Sequence, residues 1–172
     1  METIILDTET TGLSYSDEII EIGICDLKGN ILFDERIKPS KNNTRWPDAE
    51  RIHGISPDDV KDCRTFPEIF HELASILSGK NVVIFNAGYD TKLLRQSCAN
   101  WLLDPKTLLD NDFTCCMYAA GSRWPEYANY YGGMSLDQAL RVSGCKRVGK
   151  AHSAIGDALS TAEVWKKILI AP

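Results

Sequence analysis

Two hydrophobic periods alternate along this chain. Short β-branched or apolar runs at residues 3–6, 19–25, 31–37, 82–85 and 113–116 read as strands. Longer stretches carry apolar residues three or four positions apart and read as helices. The clearest stripe is Phe66, Ile69, Phe70, Leu73, Ile76 and Leu77, with Pro67 suited to its first turn and Gly79 to its end. Residues 89–101, 135 to about 142 and 153–169 follow the same period. The last of these places Ile155, Leu159, Ala162, Trp165 and Leu169 on one side. The link Lys28-Gly29-Asn30 is too short for a parallel crossover, so the second and third strands form an antiparallel hairpin. Residues 82–85 are apolar throughout, as in a central strand covered on both faces. Residues 38–67 are rich in Pro, Asn, Asp and Ser and read as a long irregular connection. Residues 121–134 also read as loop. The order β-β-β-α-β-α-β-α-α predicts an α/β fold: a mixed sheet of about five strands with an antiparallel hairpin edge, flanked by helices.

Length and composition narrow the class. A chain of 172 residues fits a single domain over 1–172, large enough for a proper core. No apolar run approaches the ~18 residues of a membrane span, so no membrane is expected. Met1-Glu2-Thr3 has no basic segment and leads into a strand, which argues against a signal peptide. The six cysteines are scattered and form no C-x-x-C pair, as expected for reduced thiols in a cytoplasmic protein. The net charge of −5 disfavours nucleic-acid affinity through a general basic surface. It is compatible with a site built from carboxylates, whose charge bound cations would offset.

Three constellations carry candidate chemistry. Asp7 and Glu9 follow the first apolar run. Residues two apart on a strand share a face, so these carboxylates repel unless a proton or a hard divalent cation lies between them. By itself the pair also reads as a strand ending in solvated acids, and Asp48-Ala49-Glu50 repeats it within a stretch that reads as loop. The second constellation, Asn86 to Asp90, starts where the fourth strand ends, the usual place for a site in an open α/β sheet. Asp90 there is equally suited to stabilising the start of its own helix. The third is His152 and Asp157. Five positions apart, they do not share a helical face, which puts His152 in the loop before the last helix and Asp157 in its early turns.

In order and spacing, D-x-E at Asp7 and Glu9, N-A-x-[FY]-D at Asn86 to Asp90 and H-x-A-x-x-D at His152 to Asp157 resemble the DnaQ-like exonucleases. These form the subgroup of the DEDD superfamily with a catalytic histidine (DEDDh). The resemblance runs from Thr3 to about Lys167, and the segment from Ile52 to Ser56 is similar to a loop of that family. It implies a ribonuclease H-like fold and 3′→5′ removal of nucleotides as nucleoside 5′-monophosphates. Asp7, Glu9, Asp90 and Asp157 would hold two divalent cations, Mg²⁺ or Mn²⁺, with Asp7 shared between them. Two such ions about 3.5–4 Å apart stabilise both attacking and leaving oxygens. His152 would take the proton from the attacking water.

The resemblance also assigns the 3′ end of the nucleic acid to the turn of Thr10, Thr11, Gly12 and Leu13, with Leu13 packing on the base. Asn86, Tyr89 and His53 are further candidates, although Tyr89 equally suits core packing. Lys146, Arg147 and Lys150 are either phosphate contacts or a solvated loop. Trp124 with Tyr127, Tyr130 and Tyr131 is either a stacking surface or a pinned loop. DNA is the expected substrate and RNA the alternative; the motifs do not separate them. A proofreading subunit and an inactive exonuclease fold used for binding are the other readings. The complete set of four carboxylates and a histidine argues against the inactive fold. The end at Pro172, directly after the last helix, favours a stand-alone enzyme.

Overall fold

The computed structural model describes residues 2–170. Met1 and the last two residues, which bear on the reading of the chain ends, lie outside them. Five strands form one sheet: β1 (Thr3–Thr10), β2 (Ile19–Asp26), β3 (Ile31–Arg36), β4 (Asn81–Ile84) and β5 (Asp112–Cys115). Their spatial order is β3-β2-β1-β4-β5. β1, β2 and β3 pair antiparallel, whereas β1, β4 and β5 run parallel. The expected hairpin is therefore β2–β3, and it stands at one edge. Its turn is held by the Asp26 carboxylate, which accepts from the backbone N–H of Lys28 and of Asn30. The middle strand is β1 rather than β4, though Val82, Val83 and Ile84 are buried as a fully covered strand requires.

Strand alternation sorts the core into two layers. Ile4, Leu6, Ile22, Ile24, Val82 and Ile84 pack under α3 (Phe66–Leu77) and α4 (Ala87–Asn100). Ile5, Cys25 and Val83 pack on the other face, under α7 (Leu136–Ser143) and α8 (Ala154–Leu169). All six cysteines are free. Among the described residues no helix is long and apolar enough to cross a membrane.

The irregular segment contains structure that its composition hides. Residues 38–67 hold α1 (Pro47–His53) and α2 (Pro57–Val60), so Asp48-Ala49-Glu50 is helical rather than loop. Each helix starts on a proline, and Gly54 at φ 78° ends the first. They are too short to show a hydrophobic period and are pinned instead by Trp46, Ile55 and Val60 against Ile20. Two other helices, α5 (Lys106–Leu109) and α6 (Cys116–Arg123), were also without a readable stripe. β1 runs on through both acids to Thr10, because Thr8 and Thr10 are β-branched and pair with Ile22 and Ile19.

The start of α8 lies directly on β2. A Cβ at Gly23 would stand 2.3 Å from the Ile155 nitrogen and 2.4 Å from the Ala154 carbonyl carbon. Backbone cannot yield as a side-chain tip can. Gly23→Ala is thus expected to destabilise the protein by at least about 1–3 kcal/mol, measured by chemical denaturation. A neutral Gly23→Ala would contradict this close approach.

Candidate active site

Asp7 and Glu9 lie on the β1 face that α8 covers. In register they stand opposite Gly23 and Glu21 of β2. The first turn of α8 supplies Asp157, and Ser153 caps the helix by accepting from the Gly156 N–H at 3.3 Å. His152, just before that cap, is exposed and takes a left-handed backbone at φ 56°. One ligand atom each from Glu9, His152 and Asp157 falls within a set no wider than 4.8 Å. Asp90 arrives from the first turn of α4, beyond the end of β4. It is buried, and its Oδ1 accepts from the Thr8 hydroxyl at 2.7 Å.

This crowding changes the acids. Burial, followed by repulsion from Asp90, Asp157, Glu9 and Glu21, pushes Asp7 well above the ordinary carboxylate range. Burial, with Asp157, Glu21 and Asp90 next, raises Glu9 to about 8. Burial raises Asp90 to about 7 despite the Thr8 hydroxyl bond that favours its ionised form. Three acids that resist ionisation together, with an imidazole beside them, form a hard-oxygen donor set suited to divalent cations.

Beyond Glu9 the chain forms a tight turn. The hydroxyls of Thr10 and Tyr89 lie 2.8 Å apart, and the Gly12 carbonyl lies 3.0 Å from the first and 2.9 Å from the second. Thr11 donates to Asp17 at 2.7 Å. A Cβ at Gly12 would stand 2.7 Å from the Asp17 Oδ2, so a larger residue there would push that carboxylate aside. His53 is buried with both ring nitrogens engaged. Nδ1 accepts from the Ile55 N–H at 3.0 Å, so Nε2 carries the proton towards the Thr10 carbonyl at 3.1 Å. Burial also holds His53 below its ordinary pKa.

The turn borders a cavity of about 570 Å³, with Leu13, Arg45, Ile52, His53 and Tyr89 among its walls. Asn86 is exposed at the start of α4, outside those walls. Thr10, Tyr89 and His53 thus brace the turn, while Leu13 and Ile52 offer 77% and 62% exposed apolar side chains.

The basic loop before α8 folds inward. Arg147 pairs with Asp157 and Asp137, because the nearest anions are carboxylates of α8 and α7. Lys150 donates to the His53 carbonyl at 3.4 Å. Tyr130 and Tyr131 remain exposed in an edge-on pair. Sequence reasoning missed Glu21, Arg45 and the cavity-facing role of Ile52. Only Glu21 carried a signal, as a lone charge inside a β-branched run.

A five-stranded mixed sheet with acids gathered at the end of its middle strand defines a ribonuclease H-like nuclease. The exonuclease family RNase_T matches residues 4–165, and the chain belongs to that family. It is 33% identical over 165 residues to an uncharacterized exonuclease of Escherichia phage 186, covering 93% of this chain and 84% of the relative. It is 30% identical over 175 residues to the DNA polymerase III subunit epsilon of Rickettsia felis, covering 98% and 74%. Among solved structures, the nuclease domain of 3′hExo, a DEDDh family member bound to rAMP, superposes with a TM-score of 0.74 at 17% identity, covering 97% and 90%. Exonuclease X in complex with 5′-overhanging duplex DNA gives 0.73 at 22%, with the same coverage. The chain is accordingly a hydrolytic nuclease of a family that works with divalent metal ions.

The native state binds protons at Glu9 and Asp90 more tightly than the unfolded chain does. Stability without cations therefore falls as pH rises from the ordinary carboxylate range through about 8, the Glu9 value. Thermal denaturation in EDTA is expected to show that decline. Asp7→Asn should raise Tm at the alkaline end by about 2–4 °C per kcal/mol of repulsion removed. A flat profile, or a lower Tm for Asp7→Asn, would count against the crowding.

Proposed function

We propose that the protein is a 3′→5′ exonuclease that releases nucleoside 5′-monophosphates, with DNA as its substrate. The observation that carries this reading is the gathering of Glu9, His152 and Asp157 beside Asp7, with Glu9 also lining a cavity large enough for a terminal nucleotide. The relatives support DNA, being in part polymerase subunits. A further neighbour, with a TM-score of 0.79 at 17% identity and 63% of that chain covered, is a 3′-exonuclease that recognises the 3′ end of a histone mRNA stem-loop. It supports the direction of attack and keeps RNA as the alternative substrate.

In this reading Asp7, Glu9, Asp90 and Asp157 hold two divalent cations, Mg²⁺ or Mn²⁺. The cations supply Lewis-acid stabilisation of the negative charge that builds on the phosphate oxygens. The protein does the rest. The Gly12 and Leu13 backbone meets the terminal nucleotide, and Leu13 and Ile52 flank its base with apolar surface. Arg45 adds positive charge to the same cavity. His152 stands at the solvent side of the acids, free to accept the proton of the attacking water and pass it to bulk solvent.

The test is a digestion panel of end-labelled DNA and RNA oligonucleotides, single- and double-stranded, with Mg²⁺, Mn²⁺ or EDTA. Stepwise loss from the 3′ end, dependent on cation and yielding 5′-monophosphates, is expected. Release from the 5′ end, or internal cuts, would refute the assignment, and preference for RNA would move it to the alternative. Asp7→Asn should abolish cleavage with the fold intact. His152→Ala should lower kcat by about 10²–10⁴-fold; a His152→Ala enzyme with wild-type kcat would remove the histidine from proton transfer.

A further inference from the structure

Glu21 is 8% exposed, and none of the motifs includes it. Its two oxygens face different elements. Oε2 accepts from the Ala154 N–H at 2.7 Å. Oε1 lies 3.5 Å from Nε of Arg36 on β3, whose Nη1 reaches Asp59 at 3.4 Å. Ala154 is the first residue of α8, so its N–H is one of the donors that a helix start leaves without an internal partner. A carboxylate on such a donor makes a charge-assisted bond and also meets the positive end of the helix dipole.

The location gives the bond its consequence. Glu21 is the cross-strand partner of Glu9, and two acids facing each other on one sheet face destabilise it. The same carboxylate grips α8 two residues after His152 and three before Asp157. Gly23, two residues along β2, removes the side chain that would hold the helix off the sheet. Between them, these residues set both the distance and the lateral position of the helix start.

We propose that Glu21 is a positioning residue: through the Ala154 N–H it fixes the start of α8 over β1, and with it the placement of His152 and Asp157 against Glu9. Its catalytic consequence rests on the exonuclease reading; the positioning itself does not.

Three substitutions separate the bond from the charge. Glu21→Gln keeps an acceptor oxygen at the same reach and loses the charge. Glu21→Asp keeps the charge and falls short by one methylene. Glu21→Ala loses both. Hydrogen exchange at the Ala154 amide, followed by NMR in cation-free protein, should remain slow in Glu21→Gln and speed up in Glu21→Asp and Glu21→Ala. Activity should follow the same order. Glu21→Ala should lower kcat by about 10–100-fold with KM little changed, and Glu21→Gln should recover most of it.

Glu21→Gln as impaired as Glu21→Ala would overturn the proposal in favour of charge. So would a folded Glu21→Ala protein with wild-type kcat or unchanged Ala154 exchange. If Glu21→Ala does not fold, the contrast between Glu21→Gln and Glu21→Asp decides alone. Should the wild-type protein cleave nothing while Ala154 exchange still follows the expected order, the exonuclease reading fails and the positioning role stands.

Discussion

Several carboxylates share the end of one strand, and much of the structure answers to their mutual repulsion. Asp90 of α4, Asp157 of α8 and Glu21 of β2 all raise the cost of ionising Asp7 and Glu9 of β1. A protein gains nothing in stability from such a cluster. It is retained where a cation, a proton or a developing positive charge is meant to enter. The surrounding fold supplies the stability that the cluster gives up: an apolar layer on each face of the sheet, with α8 laid directly on β2.

That repulsion is held in place by contacts that are each small. The Thr8 hydroxyl anchors Asp90 from the opposite side of β1. The Glu21 carboxylate anchors the first turn of α8. Arg147 meets Asp157 and Asp137. Every one of these groups comes from a different element, so the site exists only when both helical layers have docked on the sheet. An acidic site of this kind also explains why a nuclease can carry a net charge of −5. On the proposed reading, nucleic acid would meet the local field of bound cations and a few backbone donors, not a basic surface.

The cavity next to the acids follows from the turn after β1. Thr10 bonds with Tyr89, Thr11 donates to Asp17, and His53 meets the Thr10 carbonyl, which together brace the turn. Polar residues there are largely consumed in bracing. What remains open in the cavity is backbone, the Leu13 and Ile52 side chains, the exposed Ser14 and Asp48, and the Arg45 cation.

Local pattern was sufficient for much of this. The short β-branched or apolar runs located all five strands, and the helical stripe over residues 66–77 matched α3 end to end. The three motifs named the acids and the histidine that the fold brings together, because each motif is a short local run of residues. Short helices such as α1, α2 and α6 were not legible, since their one or two turns carry no apolar stripe against the surrounding sequence. Distances across the chain were decided only by tertiary structure. Glu21 became important because β2 pairs with β1 in a particular register. Arg147 turned inward because α7 and α8 place carboxylates beside it. His53 lost its free nitrogens because α1 docks behind Thr10. A sequence specifies which groups can meet, but packing of the sheet and its two helical layers determines which do, since each such meeting joins residues ten or more positions apart.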